Sequence, residues 1–520
     1  MSLLVYFLLG LSYLSPNAFM PWPNASQDFF AFFSIILLTF NIIITKKTYI
    51  DKNIMYVYFL ILVQILIQFF LGFFVLKQDF FLSVLYINLF FLSIINGIYF
   101  KKSKDEIIKL TIFFTIIGFI SVLIQILQWF SIDGFSFILK SGFLRPSANI
   151  GQPNNLATLL FMSFFSLLYL YYNKIINIYF FLILDIFFVL GIALTQSRTS
   201  WVVFFVLLVL SFTRRDLKLL KVIYINAIIF LFFLLVLPYK NILFKGAGLT
   251  LFERAGSDYS RLDIWKQIYL AIIDKPTLGY GWNQTSIAQT KTSLKYPLNL
   301  WLEYSHNFFL DLFVWVGIPF GLIIIFLIVR WFFSTFNKIK YTNDLIIFFA
   351  IISFFVHCMF EFPFAYAYFL VPIGLFIGIV HKFDNSNIYF NRWFYLFILS
   401  WVVLIFIIII KDYILIKDKI EKYSSEYLFY SKVTPVEYNV RVLDGLDIGV
   451  DILYLNDCYV VNKYDFENVK AVFYRYPTNK NLVSYYNYSI YENEKNSKSL
   501  DYMKLRYPNF TGKLSDMKCN

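Results

Sequence analysis

Tyr304-Ser305-His306-Asn307 closes the one extended polar segment inside an otherwise apolar chain, and a new apolar run begins directly after it. The segment starts near residue 239 and carries Arg254, Arg261 and Trp265. Around it, 59% of the 520 residues are hydrophobic, only 15% are charged and 65 are phenylalanine, with a mean hydropathy of +0.67. A soluble domain carries about 25% charged residues. Apolar runs of about 17 to 25 residues recur, the length that crosses a hydrocarbon core of about 30 Å. The composition predicts an all-α polytopic membrane protein with about 12 to 13 transmembrane helices.

Working outward from that segment, the apolar runs lie near 3–20, 28–45, 54–76, 79–99, 107–130, 155–172, 177–195, 199–213, 220–238, 307–329, 344–360, 364–380 and 393–410. Basic residues fill alternate connections: Lys46, Lys47 and Lys52; Lys101, Lys102 and Lys104; Lys174; Arg214 to Lys221; Arg330, Lys338 and Lys340; His381, Lys382 and Arg392. With thirteen spans these share one side, which the positive-inside rule makes cytoplasmic. The N-terminus is then inside and the C-terminus outside. The net charge of +13 is thereby explained by topology, and a nucleic-acid partner is not expected. No basic residue precedes the first apolar run, so that run reads as a retained span and not a cleaved signal. Three blocks follow: helices over 1–140, a second helical block over 141–410 with the 239–306 loop, and a polar, soluble domain over 411–520. Cys458 and Cys519 lie in that last block, where a disulfide is an option if the domain faces an oxidising compartment.

The same alternation puts four odd polar stretches on the outer side. Arg145-Pro-Ser-Ala-Asn-Ile-Gly-Gln-Pro-Asn-Asn155 is the first. Pro153 presets a helix start, and Gln152, Asn154 and Asn155 add amides where the first helical N–H groups are free. One such residue suffices for a cap, so three point to a bound sugar or anion. Gln196-Ser197-Arg198-Thr199-Ser200-Trp201 is the second. Its Arg198 either snorkels to headgroups or serves as a fixed cation for a diphosphate. The third holds a predicted amphipathic helix over 257–273, capped by Asp258 or Ser260, with a stripe of Leu262, Trp265, Ile268 and Ile272. Arg261 lies one turn before Trp265, and Pro276, Gly279 and Gly281 predict a turn close to the surface. His306 ends this stretch, either as a capping histidine or as the base for a hydroxyl acceptor. Glu361-Phe362-Pro363 is the fourth. His357 and Glu361 have the spacing of a metal pair, but no third ligand is evident and no metal is expected. Asp185 lies mid-span and needs a partner or a wet cavity.

Taken together, Gly-Gln-Pro-Asn-Asn155, Ser197-Arg-Thr-Ser-Trp201, Ser260-Arg-Leu-Asp-Ile-Trp265 with Leu278-Gly-Tyr-Gly-Trp282, and Ser305-His-Asn-Phe-Phe-Leu-Asp-Leu312 with Gly317-Ile-Pro319 resemble the O-antigen ligase and polymerase superfamily. The first motif, the Glu361-Phe-Pro stretch and the polar C-terminal block look most like its PglL/PilO-type branch, the O-linked oligosaccharyltransferases. The resemblance covers most of 140–380. It implies a GT-C-like enzyme of the bacterial inner membrane with its site and C-terminal domain in the periplasm. Such an enzyme, working without cofactor, moves a glycan en bloc from undecaprenyl diphosphate to serine or threonine of an acceptor protein such as pilin. Carried over residue by residue, it implies His306 as the base that activates the acceptor. Arg198 and Arg261, with Arg145 beside them, hold the diphosphate. Gln152, Asn154, Asn155, Glu361 and Tyr366 bind substrate. The family also has a functional tyrosine downstream of the histidine. If it follows the Glu361 position, this chain departs with Phe362 and the role falls to Tyr366 or Tyr368. The nearest alternatives are an O-antigen ligase or a polymerase with the same donor, and a lipid-linked glycan flippase that would use Asp185.

Overall fold

The computed structural model describes residues 2–45, 49–140, 145–214, 216–237, 261–298, 301–382, 387–389, 392–430, 433–492 and 498–508. They are overwhelmingly helical. The thirteen apolar runs become α1 (Ser2–Leu14), α2 (Ala25–Thr45), α3 (Lys52–Phe70), α4 (Lys77–Phe100), α5 (Lys104–Trp129), α6 (Pro153–Tyr172), α7 (Ile178–Leu194), α8 (Arg198–Arg214) and α9 (Leu217–Val236), then α12 (Phe308–Lys338), α13 (Thr342–Cys358), α14 (Ala367–Val380) and α15 (Arg392–Tyr430). Two shorter helices, α10 (Arg261–Asp274) and α11 (Thr285–Thr292), fold from the polar segment between α9 and α12. Helices α16 (Asp444–Tyr454), α17 (Asp457–Lys463), α18 (Phe466–Arg475), α19 (Asn479–Tyr491) and α20 (Ser499–Arg506) complete the chain. Among the described residues eight helices (α2–α6, α9, α12 and α15) are long and apolar enough to cross a membrane. The only strand pairing among them is three residues long, Tyr49–Asp51 against Asn387–Tyr389. The chain is an all-α polytopic membrane protein.

Burial sorts the helices. The apolar window of α6 is 89% buried inside the protein, against 28% for α3 and α9, so α6 is the central post and those two face outward. Helices α4 and α14 approach backbone to backbone: a Cβ on Gly97 would lie 2.1 Å from the Leu375 carbonyl, and one on Gly378 2.2 Å from that of Ile94. Small residues permit such close crossings in membranes, and this one fixes α14, whose first turn borders the site. The helix ends fall into two groups. At one, Asn343 donates to Asn173, Thr342 donates to Asp216, Lys101 donates to the His381 carbonyl and Lys382 pairs with Asp344. At the other end of α6 stand Asn154, Arg261, His306 and Glu361. The basic connections thus gather at one end of the bundle and the polar motifs at the other.

Three expectations change in detail. Helix α12 is interrupted at Gly317, which adopts φ 77° and ψ 173°. Onto that break docks the turn after α10. Tyr280 N–H donates to Val314 O at 2.7 Å, Gly281 N–H to Trp315 O at 3.1 Å, and Ile318 N–H to Pro276 O at 2.7 Å. Pro276 and Thr277 are exposed as expected of a surface turn, but Tyr280 and Trp282 are buried because the turn dives onto α12. Helix α10 starts at Arg261, and its proposed caps and Arg254 lie outside the described residues. Leu262 is 60% exposed and Ile264 is buried in its place, beside Ile268 and Ile272. Finally, α15 runs unbroken to Tyr430, so the compositional change at 411 falls inside a helix. The C-terminal helices enclose their own core around Val472, Phe473, Tyr485 and Tyr502. Cys458 is disulfide-bonded, while its expected partner Cys519 lies outside the described residues.

Candidate active site

The site is built on Glu361, in the turn after α13. Its backbone N–H still donates to His357 O at 2.9 Å, which aims the side chain back along the bundle end. The carboxyl group is buried and takes three partners. Oε1 accepts Asn154 Nδ2 at 3.0 Å and Arg261 Nη2 at 3.0 Å, and Oε2 lies 2.8 Å from His306 Nδ1. Burial pushes this carboxyl up, but the hydrogen bond from His306 and the nearby Arg261 guanidinium outweigh it and hold Glu361 below the ordinary glutamate range. An ionised carboxylate only accepts, so Nδ1 of His306 carries the proton. Nε2 has no hydrogen-bond partner among the described residues, and in the neutral ring it is the nitrogen that carries the lone pair.

His306 is held from both sides. Its φ is +58°, a left-handed conformation that a β-substituted residue adopts at a cost. The peptide before it is fixed by Asp311, whose fully buried Oδ1 accepts Ser305 N–H at 2.9 Å and Thr285 Oγ1–H at 2.8 Å. Trp315 Nε1 in turn donates to Thr285 Oγ1 at 2.8 Å. The residue after it, Asn307, caps α12 by accepting Phe309 N–H and Leu310 N–H, and donates to Met359 O at 3.3 Å. That last bond ties the histidine segment to the Glu361 turn. The edge of Phe362 packs on the imidazole, 5.1 Å between centroids, with Tyr304 stacked behind Phe362.

The structure brings together four of the expected site residues, Asn154, Arg261, His306 and Glu361. Neither asparagine caps α6: Asn154 reaches Glu361, and Asn155 Nδ2 donates to Tyr368 Oη at 3.2 Å. Gln152 is the N-cap residue but its side chain makes no capping bond. Tyr366 and Tyr368 stack on each other at 5.1 Å beside Asn155. Arg145 donates to Thr195 O at 3.4 Å, so it lies against the turn that leads to Arg198. Arg198 is exposed at the first residue of α8 and is not among the partners of Glu361. His357 turns from Glu361 toward Thr158, with Nδ1 2.7 Å from Oγ1. Glu361, expected among the substrate-binding residues, has its carboxylate occupied by protein groups. Asp185 is buried in α7 and accepts Asn226 Nδ2 from α9 at 3.2 Å, which gives it an internal partner. Among the supports, Asn307 and Asp311 stand in the histidine motif of the sequence, while Thr285 left no signal there. Asn307 is also an N-cap residue type directly before an apolar run.

Residues 180–326 match the family described as O-antigen ligase, and residues 346–441 match one described as virulence factor membrane-bound polymerase, C-terminal. Fold and matches together define a multi-pass membrane glycosyltransferase. The chain is 34% identical, over 93% of its length and 90% of the relative's, to a ComP-specific O-oligosaccharyltransferase of Acinetobacter baylyi. It is 28% identical to a general O-oligosaccharyltransferase of the same organism, over 73% of this chain and 69% of that one. It belongs to the PglL/PilO-type O-oligosaccharyltransferase family and acts in O-linked protein glycosylation. No solved structure matches it.

Proposed function

We propose that the chain transfers an oligosaccharide en bloc from undecaprenyl diphosphate to a serine or threonine hydroxyl of an acceptor protein such as pilin. The observation that carries the reading is the 2.8 Å His306–Glu361 contact. A carboxylate on Nδ1–H raises the basicity of Nε2 and stabilises the imidazolium that forms when it takes a proton. In this scheme Nε2 of His306 removes the acceptor hydroxyl proton as the oxygen attacks the anomeric carbon. The bond from that carbon to the diphosphate breaks, and its electron pair leaves on the diphosphate oxygen. Arg198 and Arg145, with the remaining N–H groups of the one-third-exposed Arg261, stabilise the charge that develops there. Gln152, Asn154, Asn155 and Tyr366 line the approach to the glycan and acceptor. The relative named as ComP-specific supports a protein acceptor of restricted identity.

The gathering of basic connections at one bundle end supports a cytoplasmic orientation for that end. The site and the C-terminal block then face the periplasm, and the disulfide state of Cys458 suits that oxidising side. The test supplies glycosylation-deficient bacteria with a lipid-linked glycan, a candidate pilin, and either this chain or its His306→Ala form. Intact pilin gains one glycan mass with the first and none with the second. Unchanged pilin with altered lipopolysaccharide or polymer length would overturn the acceptor assignment.

A further inference from the structure

The C-terminal helices do more than pack beside the bundle. Arg475, the last residue of α18, is buried between two carboxylates: Nε donates to Asp79 Oδ1 in the first turn of α4 at 3.1 Å, and Nη2 to Glu303 Oε1 at 3.3 Å. Glu303 stands three residues before His306. Around that pair the contacts multiply. Ser286 Oγ of α11 donates to the Arg475 carbonyl at 2.6 Å and accepts Trp301 Nε1–H at 3.0 Å. Gln78 Nε2 donates to Tyr476 Oη at 2.6 Å, and Asp444 accepts the N–H groups of Lys77 and Gln78. The segment from Trp301 to His306 is therefore held at its far end by α18, just as Asp311 and Asn307 hold its near end. Asp79 is nearly fully buried in the first turn of α4, whereas the Glu303 side chain is about half exposed and needs a partner to stay in place.

We infer that the C-terminal helices are part of the catalytic unit, with Arg475 a positioning residue that acts on His306 through Glu303. The inference rests on the reading of His306 as the base. It predicts that the C-terminal block sets the rate of transfer itself, separately from any role in acceptor binding. A guanidinium suits the task because its planar fork addresses two carboxylates at once, which a lysine ammonium on a flexible stem does less rigidly. A misplacement of about 1 Å at a catalytic group costs up to roughly 100-fold in rate, and loosening one end of a doubly held segment is expected to cost about tenfold.

Truncating Arg475 would strand the buried Asp79 and endanger folding, so the test uses Glu303. In purified full-length protein, Glu303→Ala is expected to lower kcat for glycan transfer about tenfold, with KM for donor and acceptor unchanged. Glu303→Gln, which keeps an oxygen for Nη2, restores most of the rate. Hydrogen exchange across 301–307 speeds up in Glu303→Ala and not in Glu303→Gln. Wild-type kcat and exchange in Glu303→Ala would overturn the inference. So would an equal loss in the Gln form, or a change confined to KM, since either makes Glu303 a substrate contact. His306→Ala is run alongside. If it still transfers, the base assignment fails, and the exchange data alone then decide whether Arg475 clamps the segment.

Discussion

Glu361→Gln is the sharpest perturbation of the site. The substitution is isosteric, so the cost lies in which end of the new amide faces which neighbour. Two donors, Asn154 Nδ2 and Arg261 Nη2, converge on Oε1, each at 3.0 Å. The amide oxygen must take that side, because the flipped amide would set an NH2 against both donors. Its NH2 then meets His306 Nδ1, which has to accept, and the imidazole proton moves to Nε2. The nitrogen facing the acceptor hydroxyl no longer holds a lone pair. The analogous carboxylate-to-amide change in a Ser-His-Asp triad lowers kcat by on the order of 10⁴ through the same tautomer error, about 5 kcal/mol of transition-state stabilisation at about 1.4 kcal/mol per decade. We expect a fall of 10³ to 10⁴ in kcat, with acceptor KM changed by less than about threefold. The assay is multiple-turnover transfer in proteoliposomes with a lipid-linked glycan, read by intact mass of the acceptor. The double variant with His306→Ala should be no worse than His306→Ala alone, since the two act as one unit. A Glu361→Gln enzyme within threefold of wild type would refute the reasoning, because the imidazole would then hold its tautomer without this carboxylate.

Further outcomes follow from the Glu361 carboxylate and from the break in α12. Glu361 is held below the ordinary glutamate range in the folded protein, so its stabilisation is complete above the unfolded value of about 4.3 and is lost only as pH falls through the lower folded value. The melting temperature of wild type should exceed that of Glu361→Gln by a constant margin from pH 8 to 5 and converge below pH 4; convergence near pH 6 would contradict the assignment. Gly317→Ala should destabilise by roughly 2–4 kcal/mol, since its Cβ would lie 2.3 Å from the Thr277 carbonyl at φ +77°. Gly72 shares only the positive φ, +72°, and a Cβ there meets nothing within 4 Å, so thermal unfolding in detergent should register only about 1 kcal/mol for Gly72→Ala.

What the sequence made legible was local. Thirteen apolar runs became thirteen helices, eight of which among the described residues are long and apolar enough to cross a membrane, where every backbone group must be satisfied internally. Pro153 announced the start of α6 for the same kind of reason. What escaped was pairing at distance. The spacing of His357 and Glu361 said nothing of their actual partners: His357 turns to Thr158 and Glu361 finds a histidine 55 residues upstream. Gly279 and Gly281 correctly marked a turn, but its docking surface, the break at Gly317, lies beyond the reach of turn chemistry. Leu262 fitted a helical stripe by number and proved exposed, because the core that α10 meets is set by α12 and not by its own periodicity.

The placement of the chemistry has a common cause. A helix leaves its terminal N–H and C=O groups unpaired, so helix ends are where an apolar chain can admit polar side chains without stranding them in hydrocarbon. Asn154 opens α6, Arg261 opens α10, His306 directly precedes the cap of α12, and Glu361 follows the end of α13. Each arrives from a different helix, so none is close to another in sequence, and the buried Glu361 carboxylate is the group on which all three donors meet. Ala148, Gln196 and His306 adopt φ of 51°, 48° and 58° in three of the four polar stretches, a cost that persists only where surrounding contacts impose it. For His306 those contacts are identifiable in Asp311, Asn307 and Glu361. Asp185 supplies the contrast. It is a carboxylate in mid-helix with Asn226 as its partner, remote in kind from the helix-end groups, and its pairing is satisfied within the bundle. In this chain the polar residues that converge on Glu361 sit at helix ends, whereas the carboxylate that interrupts a span finds its partner inside the bundle.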